Sequence, residues 1–213
     1  MILETLVVGP LEVNCYLISE GPGYDALVID PGDDGGTILE RIRANRLTLK
    51  YILNTHGHFD HVGANRTLKE ATGAKILIHE KDAPLLAMAG EHARSFGLMA
   101  DPSPPADLFL KQQDRIEVGG LSLQVLATPG HSDGGVCLLM DKILFSGDTL
   151  FAGSIGRTDL PGGSFRRIMI SIQEVVLPLD PSILIYPGHG PHTTIGKEKR
   201  TNPFLLELCK GFI

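Results

Sequence analysis

Seven residues, Thr55-His56-Gly57-His58-Phe59-Asp60-His61, limit what this chain can become more than any other stretch. Three histidines and an aspartate fall within six residues, a dense set of borderline and hard metal donors. The preceding Tyr51-Ile52-Leu53 is apolar and reads as a buried strand. The donors therefore sit on a loop leaving a strand end, with a helix starting just after. In extended chain, side chains at i and i+2 point the same way, so His56 and His58 can face one ion. Asp60 and His61 come where the backbone turns into the helix, which can aim them at a second, adjacent ion.

A fold that uses such a loop must bring further donors to the same edge. His131 and His189 each follow Pro-Gly after an apolar strand, and Asp148 closes the apolar run before Ser146-Gly147. Four strand ends thus deliver donors, as an active site at one sheet edge requires. A surface loop that is merely His-rich would need no such convergence. Strand-Pro-Gly-His also occurs twice, at Pro129-Gly130-His131 and Pro187-Gly188-His189, suggesting two halves arranged alike.

The rest of the chain reads as strands first, helices between, then strands and helices again. Met1 to Val8, Asn14 to Ser19 and Tyr24 to Ile29 read as strands, the last two joined by the hairpin signal Gly21-Pro22-Gly23. Asp30-Pro31-Gly32 reads as a turn. Gly36 to Arg46 and Val62 to Ala71 read as helices, the second stopped by Gly73. Leu49 to Leu53 and Lys75 to Ile78 read as strands. Pro84 to Ala89 reads as a short helix and Asp101 to Pro105 as a loop. The segment Met88 to Pro105 is expected to be a surface insertion rather than a cap over the site. Strands follow at Arg115 to Val118, Leu121 to Leu126, Val136 to Met140 and Lys142 to Phe145. A helix at Ser164 to Leu177, a strand at Ser182 to Tyr186 and helical pieces to the end complete the pattern.

The net charge of −6, with basic residues scattered, argues against a nucleic-acid surface. No apolar run approaches the ~18 residues that span a membrane, and the start lacks a basic leader region. A cytoplasmic location is expected. Cys15, Cys137 and Cys209 form no Cys-x-x-Cys pair and are expected to be buried, inert thiols in a reducing compartment. No heptad or exposed apolar stripe selects between monomer and homodimer.

These motifs together resemble the metallo-β-lactamase superfamily, whose signature is H-x-H-x-D-H followed by a distant His, an Asp and a last His. The resemblance implies an α/β fold, a four-layer αββα sandwich with two mixed β-sheets flanked by helices, as a single domain over 1–213. It also implies the ligands: His56, His58 and His131 for a first metal, Asp60, His61 and His189 for a second, and Asp148 bridging both. Asp60 and Asp148 are then the catalytic carboxylates. Two divalent ions follow, zinc expected, with iron and manganese accepted by the same donors. Such a pair lowers the pKa of a shared water to near 7 and polarises a carbonyl, so a metal-bound hydroxide can attack at neutral pH.

Asp148 is unlike the classical β-lactamases, which commonly place Cys there. Gly147-Asp148-Thr149-Leu150-Phe151 and Tyr186-Pro187-Gly188-His189-Gly190 are similar to the glyoxalase II-like branch, the hydroxyacylglutathione hydrolases. The segment Phe151 to Asp159 looks like the short bacterial subgroup. The implied substrate is a small-molecule thioester, whose thiol, with a pKa of ~8.5, leaves with little help. The C-terminal glutathione-binding helical domain of glyoxalase II proper has no counterpart here. Arg157 falls where the family has a basic residue contacting glutathione, but Asp159 and Pro191 stand in place of the accompanying tyrosines. Arg157 either binds an anionic substrate or pairs with Asp159 or another acid in a structural network. Persulfide dioxygenases are also similar throughout, and would hold one iron through His56, His131 and Asp148.

Overall fold

Strands buried on both faces decide the layering, because successive side chains alternate between two cores. In β2 (Val13–Ser19), Cys15 and Leu17 join one core while Tyr16 and Ile18 join another. In β3 (Asp25–Ile29), Ala26 and Val28 go with the first core and Leu27 and Ile29 with the second. The computed structural model describes residues 1–208, so Cys209 lies outside the described residues.

One six-stranded sheet runs in the order β1-β2-β3-β4-β5-β6, adding β1 (Ile2–Val8), β4 (Thr48–Leu53), β5 (Lys75–His79) and β6 (Leu108–Leu110). Its β1, β2 and β3 pair antiparallel, while β3 to β6 pair parallel. The second six-stranded sheet contains β7 (Arg115–Val118), β8 (Leu121–Ala127), β9 (Val136–Met140), β10 (Ile143–Gly147), β13 (Leu184–Pro187) and β14 (Thr193–Thr194). It is antiparallel except where β10 meets β13. A two-stranded hairpin, β11 (Leu150–Phe151) and β12 (Ser154–Ile155), stands apart.

The inner faces meet through Tyr16, Leu53 and Leu77 on one side and Val125, Leu138 and Phe145 on the other. The outer face of the first sheet is covered by α1 (Gly35–Ala44), α3 (Asn65–Thr72) and α4 (Ala83–Ser95). The outer face of the second carries α5 (Phe165–Ser171), α6 (Ile195–Thr201) and α7 (Pro203–Leu208). Two mixed sheets between helical layers make the expected αββα sandwich. Among the described residues, no helix is long and apolar enough to cross a membrane.

The differences from the sequence reading have local causes. One helix was expected over Val62 to Ala71; instead α2 (Phe59–Val62) breaks before α3. Gly63 sits against the Gly32 carbonyl, where a Cβ would come within 2.2 Å, so the turn is pinned to that loop and the axis shifts. The short helix expected at Pro84 to Ala89 extends to Ser95, and β6 has no counterpart in the reading. The helix at Ser164 to Leu177 starts as α5, capped by the Ser164 hydroxyl accepting from Arg167 N–H. It ends in a π-helical turn at Ile172–Val176, where Leu177 N–H donates to Ile172 carbonyl. The two Pro-Gly-His turns follow β8 and β13 of the same sheet, so they do not mark two halves. Cys15 and Cys137 are buried as expected, and burial raises both thiol pKa values, that of Cys137 to about 11.

Candidate metal centre

The ends of β4, β8, β10 and β13 lie at one edge of the sandwich, and backbone bonds lace the two sheets together there. Val136 N–H donates to Thr55 carbonyl at 2.9 Å, and Asn14 N–H donates to Gly188 carbonyl at 2.8 Å. The Asn14 amide also donates to the Pro187 and Gly190 carbonyls, and the Tyr16 hydroxyl donates to Pro187. The His189 loop of one sheet is thereby held against β2 of the other.

All seven donors expected from the sequence meet at this edge. His58 Nδ1 lies 2.8 Å from His131 Nε2, which lies 3.2 Å from His56 Nε2. Asp60, His61 and His189 form a second group, with Asp60 Oδ2 3.6 Å from His61 Nε2 and 3.4 Å from His189 Nε2. Asp148 stands between the groups. Its Oδ1 is 3.4 Å from His61 Nε2, and its Oδ2 is 3.5 Å from His131 and 3.7 Å from His189.

The far nitrogens of the rings explain why these near nitrogens face inward. His131 Nδ1 is 2.8 Å from Arg157 carbonyl, and His189 Nδ1 is 3.0 Å from Leu11 carbonyl. A carbonyl can only accept, so each Nδ1 carries the proton and each Nε2 presents a lone pair. His56 Nδ1 lies 3.1 Å from Thr55 Oγ1, whose own proton goes to Asp30 Oδ2 at 2.6 Å. Asp30 Oδ2 is also 3.1 Å from His61 Nδ1. One buried carboxylate thus supports a histidine from each group.

Three imidazole lone pairs aimed at one point repel unless a cation or proton lies among them. His61 Nε2 and Asp148 Oδ1 are buried without hydrogen-bond partners, which is costly unless a cation accepts them. At Gly188 a Cβ would come within 2.2 Å of Asp148 Oδ1 and 2.8 Å of a His61 ring carbon, so only glycine leaves this centre open. These residues fit divalent metal ions.

The electrostatics divide the same way. Burial, then the neighbouring rings, depresses His56 well below its usual pKa; burial and His131 bring His58 down to about 4. Both therefore stay neutral, as ligands must. Burial opposes charge on His61, but Asp148, Asp60 and Asp30 outweigh it and raise its pKa to about 10. Burial likewise opposes ionisation of Asp60, yet His61 and His189 hold it well below the usual carboxylate range.

Several supporting residues carry no motif. Asp30 reads as part of an Asp-Pro-Gly turn, yet it is buried with φ of 50°, and it also accepts from Thr55 N–H at 2.7 Å. Asp82, also buried, accepts from Gly57 N–H at 3.0 Å and Gly134 N–H at 2.5 Å, joining two ligand loops. Asp30 precedes a Pro-Gly turn and Asp82 an Ala-Pro helix start, contexts that ordinary surface acids share.

The centre opens into a cleft of about 570 Å³. Leu85, His92 and Phe96 of the α4 segment form one wall, and Phe151, Ile155 and Leu160 another. The Met88 to Pro105 segment, expected as a surface insertion, thus contributes to the site, because the longer α4 carries His92 and Phe96 to the cleft. Arg157 lines the cleft too, but its Nε and Nη2 each donate to Asp159 at 2.8 Å. His192 stacks on Tyr186 with ring centroids 3.9 Å apart.

The metallo-beta-lactamase superfamily profile matches residues 8–189. The hydroxyacylglutathione hydrolase GloC of Haemophilus influenzae is 40% identical over 96% of this chain and 98% of its own. A solved structure of TTHA1623 in a di-iron-bound form is 41% identical, covers 95% of this chain and 100% of its own, and superposes with a TM-score of 0.88. The structure of BLEG-1, a B3 metallo-beta-lactamase, is 36% identical, covers 96% and 99%, and gives a TM-score of 0.89.

Proposed function

The chain belongs to the metallo-beta-lactamase superfamily, and from that premise we propose that it is a metal-dependent hydrolase cleaving a thioester of the hydroxyacylglutathione type. The observation that carries this reading is the double group of donors: His56, His58 and His131 beside Asp60, His61 and His189, with Asp148 between them. In the proposal these seven would hold two divalent ions, zinc or iron, with Asp148 shared between the two groups. When bound, such ions supply an activated water and Lewis acidity toward a carbonyl.

The chain's own groups do the remaining work. The Arg157 and Leu11 carbonyls hold the protons of His131 and His189 on their outer nitrogens, and Thr55, anchored to Asp30, holds that of His56, so none of these three rings can turn without losing its bond. Asp60, kept ionised beside His61 and His189, is placed to accept a hydrogen bond from an attacking water and orient it. The apolar walls hold the acyl and thiol arms and exclude bulk water. A thiolate leaves without a strong general acid. The reading takes residues 1–213 as one domain acting in the cytoplasm on a small molecule.

A second reading has one observation in its favour. His56, His131 and Asp148 converge closely enough to hold a single iron with open positions, as a persulfide dioxygenase would, and the di-iron-bound neighbour shows that a chain 41% identical takes iron. Metal analysis of protein purified without added metal, with three assays, separates the possibilities. Thiol release from S-lactoylglutathione is expected. Oxygen uptake with glutathione persulfide, with one iron per chain, would replace the hydrolase by the dioxygenase. Nitrocefin turnover without thioester cleavage would place the chain with the β-lactam hydrolases instead.

A further inference from the structure

We infer that the Arg157–Asp159 pair lets this cleft take thioesters whose thiol arm is uncharged at least as well as those of anionic thiols such as glutathione. The inference rests on the hydrolase reading and names the thiol part of its substrate. Among the described residues lining the cleft, Arg157 is the single Lys or Arg side chain. It carries the charge that a carboxylate on the substrate would need. Yet the edge of its guanidinium that matches a carboxylate, Nε with Nη2, is occupied by both oxygens of Asp159. The two residues are neighbours across one position, so the pair costs little chain entropy to form.

Among the described residues, the rest of the cleft lining offers no other Lys or Arg. Away from the donors its lining is mostly apolar, with Leu85 and Phe96 facing Phe151, Ile155 and Leu160. The α4 wall adds His92 and Ser95, whose side chains can both donate to and accept from an amide. Glutathione brings two carboxylates, and desolvating either beside a neutralised arginine and apolar walls is unfavourable. An amide-bearing, uncharged arm meets no such cost.

The test compares S-lactoylglutathione with S-lactoyl-N-acetylcysteamine on the metal-loaded protein, wild type and Asp159→Ala. Asp159 is exposed, so its removal should not disturb folding. Wild type is expected to cleave the neutral thioester with a kcat/KM at least equal to that for the glutathione thioester. Asp159→Ala, which frees the guanidinium, should shift that ratio about five- to tenfold toward glutathione. A tenfold wild-type preference for glutathione, or a ratio unchanged in Asp159→Ala, would overturn the inference and leave the hydrolase reading standing. If neither thioester is cleaved, the hydrolase reading falls. Competition between S-hexylglutathione and S-hexyl-N-acetylcysteamine for the cleft then decides the inference by the same ratios.

Discussion

A histidine becomes a useful donor here through what its other nitrogen touches. His131 and His189 each rest on a carbonyl, and His56 and His61 share the support of Asp30. Asp30→Asn keeps one acceptor for Thr55 N–H but presents an amide donor where Thr55 Oγ1 or His61 Nδ1 already has a proton. Loss of such outer support typically costs 10–100-fold in metal affinity. We expect metal retention against a competing chelator to fall by about that factor, with circular dichroism unchanged; unaltered retention would remove Asp30 from this role. Asp148→Asn is the more severe change, since Asp148 lies between the two donor groups, within 3.5 Å of both His61 and His131. It should abolish hydrolysis and lower metal content measured after dialysis. Full activity in that variant would refute the bridging position.

Elements matter through where their ends lie. The break between α2 and α3, set by Gly63 against Gly32, keeps Asp60 and His61 on a short turn of their own. Behind it, Asp107 ties α3 to β5 by accepting from Lys69 Nζ and from Ile76 N–H. Its slight burial opposes ionisation, but the Lys69 and Ile76 hydrogen bonds outweigh this and lower its pKa. A depressed carboxylate contributes stability above its unfolded pKa of ~3.9 and loses it as pH falls through the lower folded value. Asp107→Asn should therefore be less stable than wild type by about 0.5–1 kcal/mol at pH 7, a modest figure because the pair is partly exposed. Urea titrations should show the gap closing below about pH 4. A gap independent of pH would mean that packing, not charge, is lost.

At the scale of the molecule, the centre lies on the seam between two sheets. The first sheet supplies His56 to His61 and the second His131, Asp148 and His189. Ions held there bind the folded chain and not the unfolded one. At a free metal concentration about 1,000 times Kd, this adds ~4 kcal/mol. For a chain of this size the melting temperature should drop by on the order of 10 °C after chelation and recover on adding zinc or iron. Differential scanning calorimetry checks this, and equal melting temperatures would argue against ions at the seam.

The sequence by itself determined the donors and the class of fold. His56 to His61, His131, Asp148 and His189 each follow an apolar strand, and strand-end position is a local property written in the order of residues. Alternating cores followed for the same reason, since a strand's two faces are set by its own period of two. Only the tertiary structure decided what supports and surrounds those donors. Asp30 and Asp82 act through groups far away in the chain, and nothing beside them in sequence distinguishes a buried acid from a turn acid. The cleft wall from α4, and the occupation of Arg157 by Asp159, likewise depend on which surfaces face one another once the layers close. The opening cluster therefore pointed to the sheet edge where the donors meet, while packing across the seam shaped the cleft beside them.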